Sequence, residues 1–358
     1  MNDAVQIDDY DYNLPLELIA QTALEPRDSS KLLVYNKGEI TDGVFSNLQN
    51  FLPKDSSLFF NDAKVIPARI FAKNSNGAKI EIFLLKPHLE EHLSALNRRE
   101  EGKWECLIGN SKKWKTSEIL TLDIQGTNLN FERINESVVH FKWNGNLTFV
   151  ELIEIIGSMP LPPYIKHLAT EIDSKRYQTV YSRIEGSVAA PTAGLHFTET
   201  TLSALKSANH TIDYLTLHVG AGTFMPVKVE NALEHPMHTE IFSIDKDSIE
   251  HLFEQNYIVA VGTTTCRVLE SLYWYSIGIN HSIEPIGHIT QFVYKELDAS
   301  NLPTRKESVK ILLEYMEKNN LNSIQGETSI MIVPGYKFRM IDGMITNFHQ
   351  LQNQLSYC

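Results

Sequence analysis

The chain has 358 residues, a formal net charge of −12, 42% hydrophobic and 21% charged residues. It therefore has apolar material for a sizeable core and length for two domains. The acidity argues against a bulk electrostatic grip on nucleic acid, whose affinity comes mainly from phosphate neutralisation, although a local basic face stays open. Three cysteines, Cys106, Cys266 and Cys358, stand far apart with no paired spacing, which argues against a disulfide framework or a thiolate metal site and fits a reducing compartment.

The opening MNDAVQIDDYDYNLPLELIAQ is acidic and holds no continuous apolar stretch, so neither a secretory signal nor an anchor is expected. Nowhere do eighteen apolar residues run together, and a soluble cytoplasmic protein is expected. Pro15 falls in the first turn of LPLELIAQ, which reads as joining the second of two units. From about residue 57 to 147 come SLFFND, VIPARIFAK, AKIEIFLL, WECLIGN, EILTLDI, LNFERI and VVHFKW. These short β-branched and aromatic runs, separated by Asn, Gly, Asp and Lys turns, predict a small antiparallel barrel or sandwich. Within them Lys112, Lys113 and Lys115 surround Trp114 and read as a solvated hairpin.

The pattern changes at LTFVELIEIIGSMPLPPY. Thr148 and Glu151 predict a capping box, Gly157 a left-handed stop, and Pro160, Pro162 and Pro163 forbid continuation of the helix. Beyond, TETTLSALKSAN reads as a helix, IDYLTLHVG as a strand, and DSIEHLFEQN as a helix with Asp247 and Glu250 as cap pair. YIVAVG is a strand, TTTCRVLESLYWY a helix, TRKESVKILLEYMEKNN a helix capped by Thr304 and Glu307, and SIMIVPG a strand. Such alternation predicts an α/β fold: a mostly parallel sheet with flanking helices, interrupted by an inserted small antiparallel β-barrel domain. The barrel is expected over 58–147, and 1–57 plus 148–358 form a discontinuous α/β domain.

Small residues mark where a ligand could approach. GSVAAPTAGLHFT, 186–198, can bury little apolar area, so its backbone is expected to pass close to another segment or a ligand. LTLHVG runs into GAGTF and IVAVG into TTTCR, and in an open parallel sheet such loops share one ligand-binding edge. The second loop opens a helix whose free N–H groups suit a carboxylate or phosphate, although taken alone the loop reads rather as Thr263 or Thr264 serving only as an N-cap. GAGTFMP lacks the Lys-Ser/Thr of a phosphate-binding loop, and Pro226 discourages the helix that a dinucleotide fingerprint requires. A triphosphate is therefore not expected. His196, His218, His235, His238 and His349 fall in this half. HPMHTEIF reads as a strand placing His235 and His238 on opposite faces, so no metal is expected, and a general base or hydrogen-bonding anchor is the alternative to a structural role. Tyr177 and Tyr181 in RYQTVYSR read as a helical stripe beside Arg176 and Arg183. It could be core, or it could stack on a base.

MPLPPYI, RYQTVYSRIEGSVAAPTAGLHFT, LTLHVGAGTFMPV, HPMHTE, VAVGTTTCRVLES and PGYKFRMIDGMITNFH, with YDYNLPLELIAQTALEPRDSSKLLV and NDAKVIPARI before them, resemble the S-adenosylmethionine:tRNA ribosyltransferase-isomerase family over nearly the whole chain. Thr265 and Cys266 depart from the family's usual Ser-Val. The resemblance implies a step of queuosine biosynthesis. The ribosyl part of S-adenosylmethionine moves onto 7-aminomethyl-7-deazaguanine in tRNA and is isomerised to epoxyqueuosine, and adenine and methionine leave. It also implies an α/β domain carrying an inserted barrel, no metal or other cofactor because S-adenosylmethionine is a substrate, a tRNA partner, no membrane and a monomer.

A sulfonium donor without phosphate is compatible with bare backbone and a helix N-terminus for its carboxylate. Removing a proton beside the sulfonium needs a neutral base, for which His218 and His196 lead, with His238 and Glu240 behind. Candidates for substrate contact are Pro191, Thr192 and Gly194, then Gly220, Gly222 and Thr223, then Thr263, Thr264 and Arg267, together with Tyr177, Arg183, Asn347 and His349. A tRNA-binding protein without turnover is the rival reading. An ordinary methyltransferase is disfavoured by the absence of a Gly-rich fingerprint followed by an acidic residue. After ITNFH the chain reads QLQNQLSYC, where the family usually continues Leu-Pro or Gln-Pro, then Ser-Thr and a leucine-rich helix. One permitted set of codons minus about two nucleotides restores Gln-Pro-Lys-Ser-Thr-Leu-Leu-Leu by the genetic code alone, so a frameshift around Leu351 is expected. With it comes an alternative function as a C-terminally truncated, catalytically impaired tRNA-binding homologue.

Overall fold

A computed structural model describes residues 4–18, 24–124, 126–161, 165, 169–220, 229–297 and 301–348. Two seven-stranded sheets organise them. The first is antiparallel, with spatial order Gly157–Ser158, Arg69–Lys73, Lys79–Pro87, Glu101–Gly109, Val138–Trp143, Thr127–Arg133 and Leu120–Ile124. It curls so that Leu120–Ile124 approaches Arg69–Lys73 without a hydrogen-bonded ladder between them, a half-barrel rather than a closed barrel. Its interior holds Trp104, Trp114, Phe131, Phe141 and Phe149. Phe149 comes from the helix Phe149–Ile156, which starts with the expected reciprocal capping box of Thr148 and Glu151. Trp114 is buried and the lysines around it are exposed, but the segment, with the 3-10 turn Ser111–Lys113, is a connection and not the expected hairpin, because Glu101–Gly109 and Leu120–Ile124 are not neighbours in the sheet.

The second sheet runs in the order His288–Ile289, Ser323–Thr328, Glu240–Asp245, Thr211–Leu217, Ser57–Asn61, Ile258–Val261 and Gly343–Ile345. Four of its six ladders are parallel and two are antiparallel. Ser57–Asn61, grouped above with the barrel, lies at the centre of this sheet between Thr211–Leu217 and Ile258–Val261. The reason is burial on both faces: every residue of SLFFN is buried, as in a covered parallel strand rather than an alternating one. The helix Thr263–His281 packs across the sheet, and Arg305–Lys318, with the expected box of Thr304 and Glu307, packs on that helix. The N-terminal stretch joins the same body, as Ile7 donates its N–H to the Glu230 carbonyl at 3.0 Å.

Several local expectations give way. Gly157 is extended, with φ −83 and ψ 164, instead of left-handed. Glycine is required there because a Cβ would strike the Pro67 and Ile153 carbonyls. The helix Lys246–Glu254 has Asp245 as N-cap residue, so Asp247 lies inside its first turn and forms no cap pair with Glu250. SIMIVPG makes no strand. The ladder belongs to the preceding Ser323–Thr328, and Ser329 and Met331 instead donate to the Ile289 and Gln291 carbonyls. HPMH is not extended sheet either, because pairing begins only at Glu240. The helix Glu171–Arg176 ends with Tyr177 as its C-cap residue, so Tyr177 and Tyr181 form no stripe. Tyr177 packs with Met159 and Leu161, whereas Tyr181 packs edge-on to Phe60.

Candidate active site

Four parallel strands deliver their carboxyl ends to one edge. Asn61 closes Ser57–Asn61 against its neighbour by using its side chain as a substitute peptide group. Its amide Nδ2 donates to the Leu217 carbonyl at 3.1 Å, and its Oδ1 accepts from Leu217 N at 3.0 Å. Asp62 follows, buried, accepting from Thr216 at 2.7 Å and from the Arg183 guanidinium at 2.8 Å. Burial pushes the Asp62 carboxyl up, and those hydrogen bonds pull against it.

The small-residue segment crosses this edge. Val188 donates to the Val219 carbonyl at 2.9 Å, and Val219 donates to Ser187 Oγ at 3.2 Å. Gly194 lies in the 3-10 turn Thr192–His196 after buried Pro191, and a Cβ there would run into the Tyr181 hydroxyl. Gly262, with φ +91, precedes the helix Thr263–His281, and a Cβ on it would stand 3.8 Å from that of Ala193. The stretches 186–198, 218–220 and 262–267 therefore share one rim. Gly262 is the N-cap residue and no side chain caps that helix, so Thr263 and Thr264 do not serve as caps. The Thr264 hydroxyl is buried with no partner.

Glu240 and Arg267 form a buried ion pair that ties the rim together. The carboxylate also accepts the Gly220 N–H at 3.2 Å, and Arg267 Nε donates to the Ile330 carbonyl at 3.2 Å. Arg267 Nη2 is left buried and unpartnered, a donor oriented by its neighbours and available to a carboxylate. Because Glu240 is engaged in this way, it suits holding Arg267 and the start of the 220 loop better than taking a proton.

The histidines separate in the same manner. His196 has both ring nitrogens occupied, Nδ1 by Ser30 at 2.9 Å and Nε2 by Asn347 at 2.9 Å, which suits an anchor more than a base. His238 is exposed just before Glu240. His218 keeps Nδ1 buried and without a partner. Its ring stacks on His92 with centroids 4.8 Å apart and planes 18° apart. Gly186, with φ +130, makes room for the pair, since a Cβ would strike the His92 ring and lie 3.0 Å from His218 Nδ1. Burial first, and then the neighbouring imidazole, depress His218 to about 4, so it is neutral near pH 7. His92 is depressed chiefly by burial.

His92 belongs to the helix His92–Leu96 of the half-barrel, so both sheets contribute to the rim. Sequence reading missed it, because neither His88 nor His92 in KPHLEEHLSAL carries a periodic or motif signal that points to a partner in another sheet. Of the other candidates, Tyr177 is core, and Arg183 is committed to Asp62 and lies 4.8 Å from the Tyr214 ring. Gly222, Thr223 and His349, with Pro226 and the stretch 350–358, lie outside the described residues. Among the described residues no group of three His, Cys, Asp or Glu is placed to hold a metal ion, and no helix is long and apolar enough to cross a membrane.

The chain is 38% identical over 355 residues to an S-adenosylmethionine:tRNA ribosyltransferase-isomerase of Halothermothrix orenii, covering 96% of this chain and 87% of that one. A crystal structure of an S-adenosylmethionine tRNA ribosyltransferase from Thermotoga maritima is 25% identical, covers 98% of this chain and 87% of that one, and superposes with a TM-score of 0.41, too loosely to place residues. The family model described as queuosine biosynthesis protein matches residues 7–355. With a match that takes in every rim segment, the chain belongs to the queuosine biosynthesis protein family.

Proposed function

We propose that this protein is an S-adenosylmethionine:tRNA ribosyltransferase-isomerase. It would transfer the ribosyl part of S-adenosylmethionine to 7-aminomethyl-7-deazaguanine in tRNA and rearrange it to epoxyqueuosine, releasing adenine and methionine. Family membership supports the reaction class. The observation that carries the reading is the unpartnered Arg267 Nη2 on the same rim as the unpartnered His218 Nδ1. In this reading the methionine carboxylate meets Arg267 and the open N-terminus of Thr263–His281, where a guanidinium and helix N–H groups act together. The small residues let the backbone approach the sulfonium without placing a cation beside it.

His218 then takes the proton from the carbon next to the sulfonium. An imidazole held neutral adds no second positive charge there, at the cost of being a weaker base than an ordinary histidine. His92 keeps the ring oriented by stacking, and His196 holds Asn347 in place. S-adenosylmethionine is a substrate, no other cofactor is invoked, and the protein acts as a monomer.

The test is incubation with S-adenosylmethionine and tRNA bearing the aminomethyl base, followed by mass analysis of the nucleoside. Adenine plus methionine is the expected outcome. S-adenosylhomocysteine would indicate methyl transfer instead, and no turnover would leave only a binding protein. His218→Ala is expected to slow adenine release by about 10²- to 10⁴-fold at saturating substrates, and an unchanged rate would remove His218 from that role.

A further inference from the structure

A cavity of about 460 Å³ lies away from the rim, between the helix Thr263–His281 and the loop 333–339. Its floor is a closed polar network. Trp274 donates its indole N–H to the Tyr336 hydroxyl at 3.0 Å, and that hydroxyl donates to Glu270 at 2.6 Å. Glu270 is fully buried and also accepts the backbone N–H groups of Arg339 at 2.9 Å, Met340 at 2.9 Å and Ile341 at 3.2 Å. One buried carboxylate thus fixes the path of the loop by binding its successive amides. Tyr294 packs edge-on to Tyr336 with centroids 4.8 Å apart.

The mouth is built differently. Lys295, Lys337 and Arg339 line it, and no carboxylate is among the described lining residues. None of the three cations is in an ion pair among the described residues. Glu296 accepts from Thr290, Glu307 caps its own helix, and Glu270 is buried under Tyr336. Phe338, 44% exposed, stands beside the two cations of the loop with its ring 5.5 Å from that of Tyr336. In a chain of net charge −12, three cations outside any ion pair gather beside aromatic rings, Lys295 5.1 Å from that of Phe292 and Arg339 5.9 Å from that of Tyr273.

We propose that this cavity receives single-stranded RNA next to the nucleotide being modified, with Lys337, Arg339 and Lys295 meeting backbone phosphates and Phe338 stacking on an unpaired base. The inference rests on the tRNA reading above and adds where the RNA lies. Cations combined with an aromatic face are what unpaired nucleotides require, whereas a free phosphate has no use for the ring. Arg267 and Trp274 are seven residues apart on one helix, about 10 Å along its axis. A base in the rim and its neighbour in the cavity are therefore within reach of one strand. The loop's anchoring by Glu270 means that the cations are placed before RNA arrives.

The experiment measures binding of fluorescently labelled tRNA bearing the aminomethyl base to the full chain across a salt series, with S-adenosylmethionine binding and thermal melting in parallel. K337A/R339A is expected to weaken tRNA at least tenfold and to flatten the salt dependence by about 1.4 in log–log slope, two single-strand phosphate contacts. F338A is expected to weaken binding with the slope unchanged, and K337E to weaken it more than K337A. S-adenosylmethionine affinity and melting should not move. K112A/K113A, on the half-barrel turn Ser111–Lys113, should bind tRNA as the parent does. If the parent binds tRNA and K337A/R339A binds it equally well, the cavity assignment is overturned while the proposed reaction stands. If the parent binds no tRNA, both fall. Competition for the cavity by polyglutamate but not by RNA would assign it to an acidic protein partner and overturn the inference.

Discussion

In the half-barrel, buried Trp114 gives its indole N–H to the Glu118 carbonyl at 2.8 Å and Trp143 gives its own to Leu147 at 2.9 Å. At the rim of the parallel sheet, His218, Tyr181, Thr264 and Arg267 each keep a buried polar atom with no partner. The two regions are made by the same chain, yet these two indoles of the first are satisfied within it, whereas a ring nitrogen, two hydroxyls and a guanidinium nitrogen of the second have no partner among the described residues. The unpartnered indole of Trp104 lies where the regions meet, its ring 5.8 Å from His92. The half-barrel thus delivers one histidine, His92, to the rim.

Breaking the rim at its buried ion pair should give the largest effect. Glu240→Ala leaves the Arg267 charge uncompensated and frees the Gly220 amide, so a loss of about 3–5 kcal/mol in urea unfolding is expected, together with loss of S-adenosylmethionine binding. A loss under 1 kcal/mol would mean that the pair is not buried as described. In the half-barrel, Phe149→Ala should cost a similar 3–5 kcal/mol through the cavity it opens. Folded protein at low temperature should nonetheless keep its affinity for S-adenosylmethionine, and a parallel loss of binding would contradict the separation of roles.

A finer comparison uses pH. His218 falls from an ordinary value near 6.5 to about 4 in the fold, so between those values the unfolded chain binds more protons. Stability contributed by its neutral form is complete above pH 6.5 and declines toward pH 4, by about 3 kcal/mol in all. His92 adds in the same direction. His218→Phe, which preserves stacking on His92, should show a shallower decline when urea midpoints are compared at pH 7 and pH 4.5, and an identical profile would dissociate the histidine from the effect. The smallest change is expected at Thr304→Ala, which removes one capping box on an outer helix for about 1 kcal/mol and no change in either binding constant.

Local chemistry decided much of this molecule without help. The boxes at Thr148 and Thr304 close within one helical turn, so four consecutive residues were enough to read them. The half-barrel strands were legible because alternation and turn residues act over short spans. The small-residue run, the loop after Leu217 and the loop after Val261 were also recognisable as places where a backbone comes close to something, and mostly parallel pairing followed from helix and strand order. Tertiary structure alone decided the rest. It placed SLFFN at the centre of the parallel sheet, because burial on both faces depends on helices contributed from elsewhere in the chain. It sorted the histidines by environment: His196 is satisfied by Ser30 and Asn347, His238 is left in solvent, and His218 is stacked on a residue of another sheet. It also turned Glu240 from a candidate base into the partner of Arg267. Residue types and spacing carry propensity over a few positions, but whether a carboxylate or an imidazole is paired, desolvated or free is set by atoms distant in sequence, and those are brought together only when the sheets close.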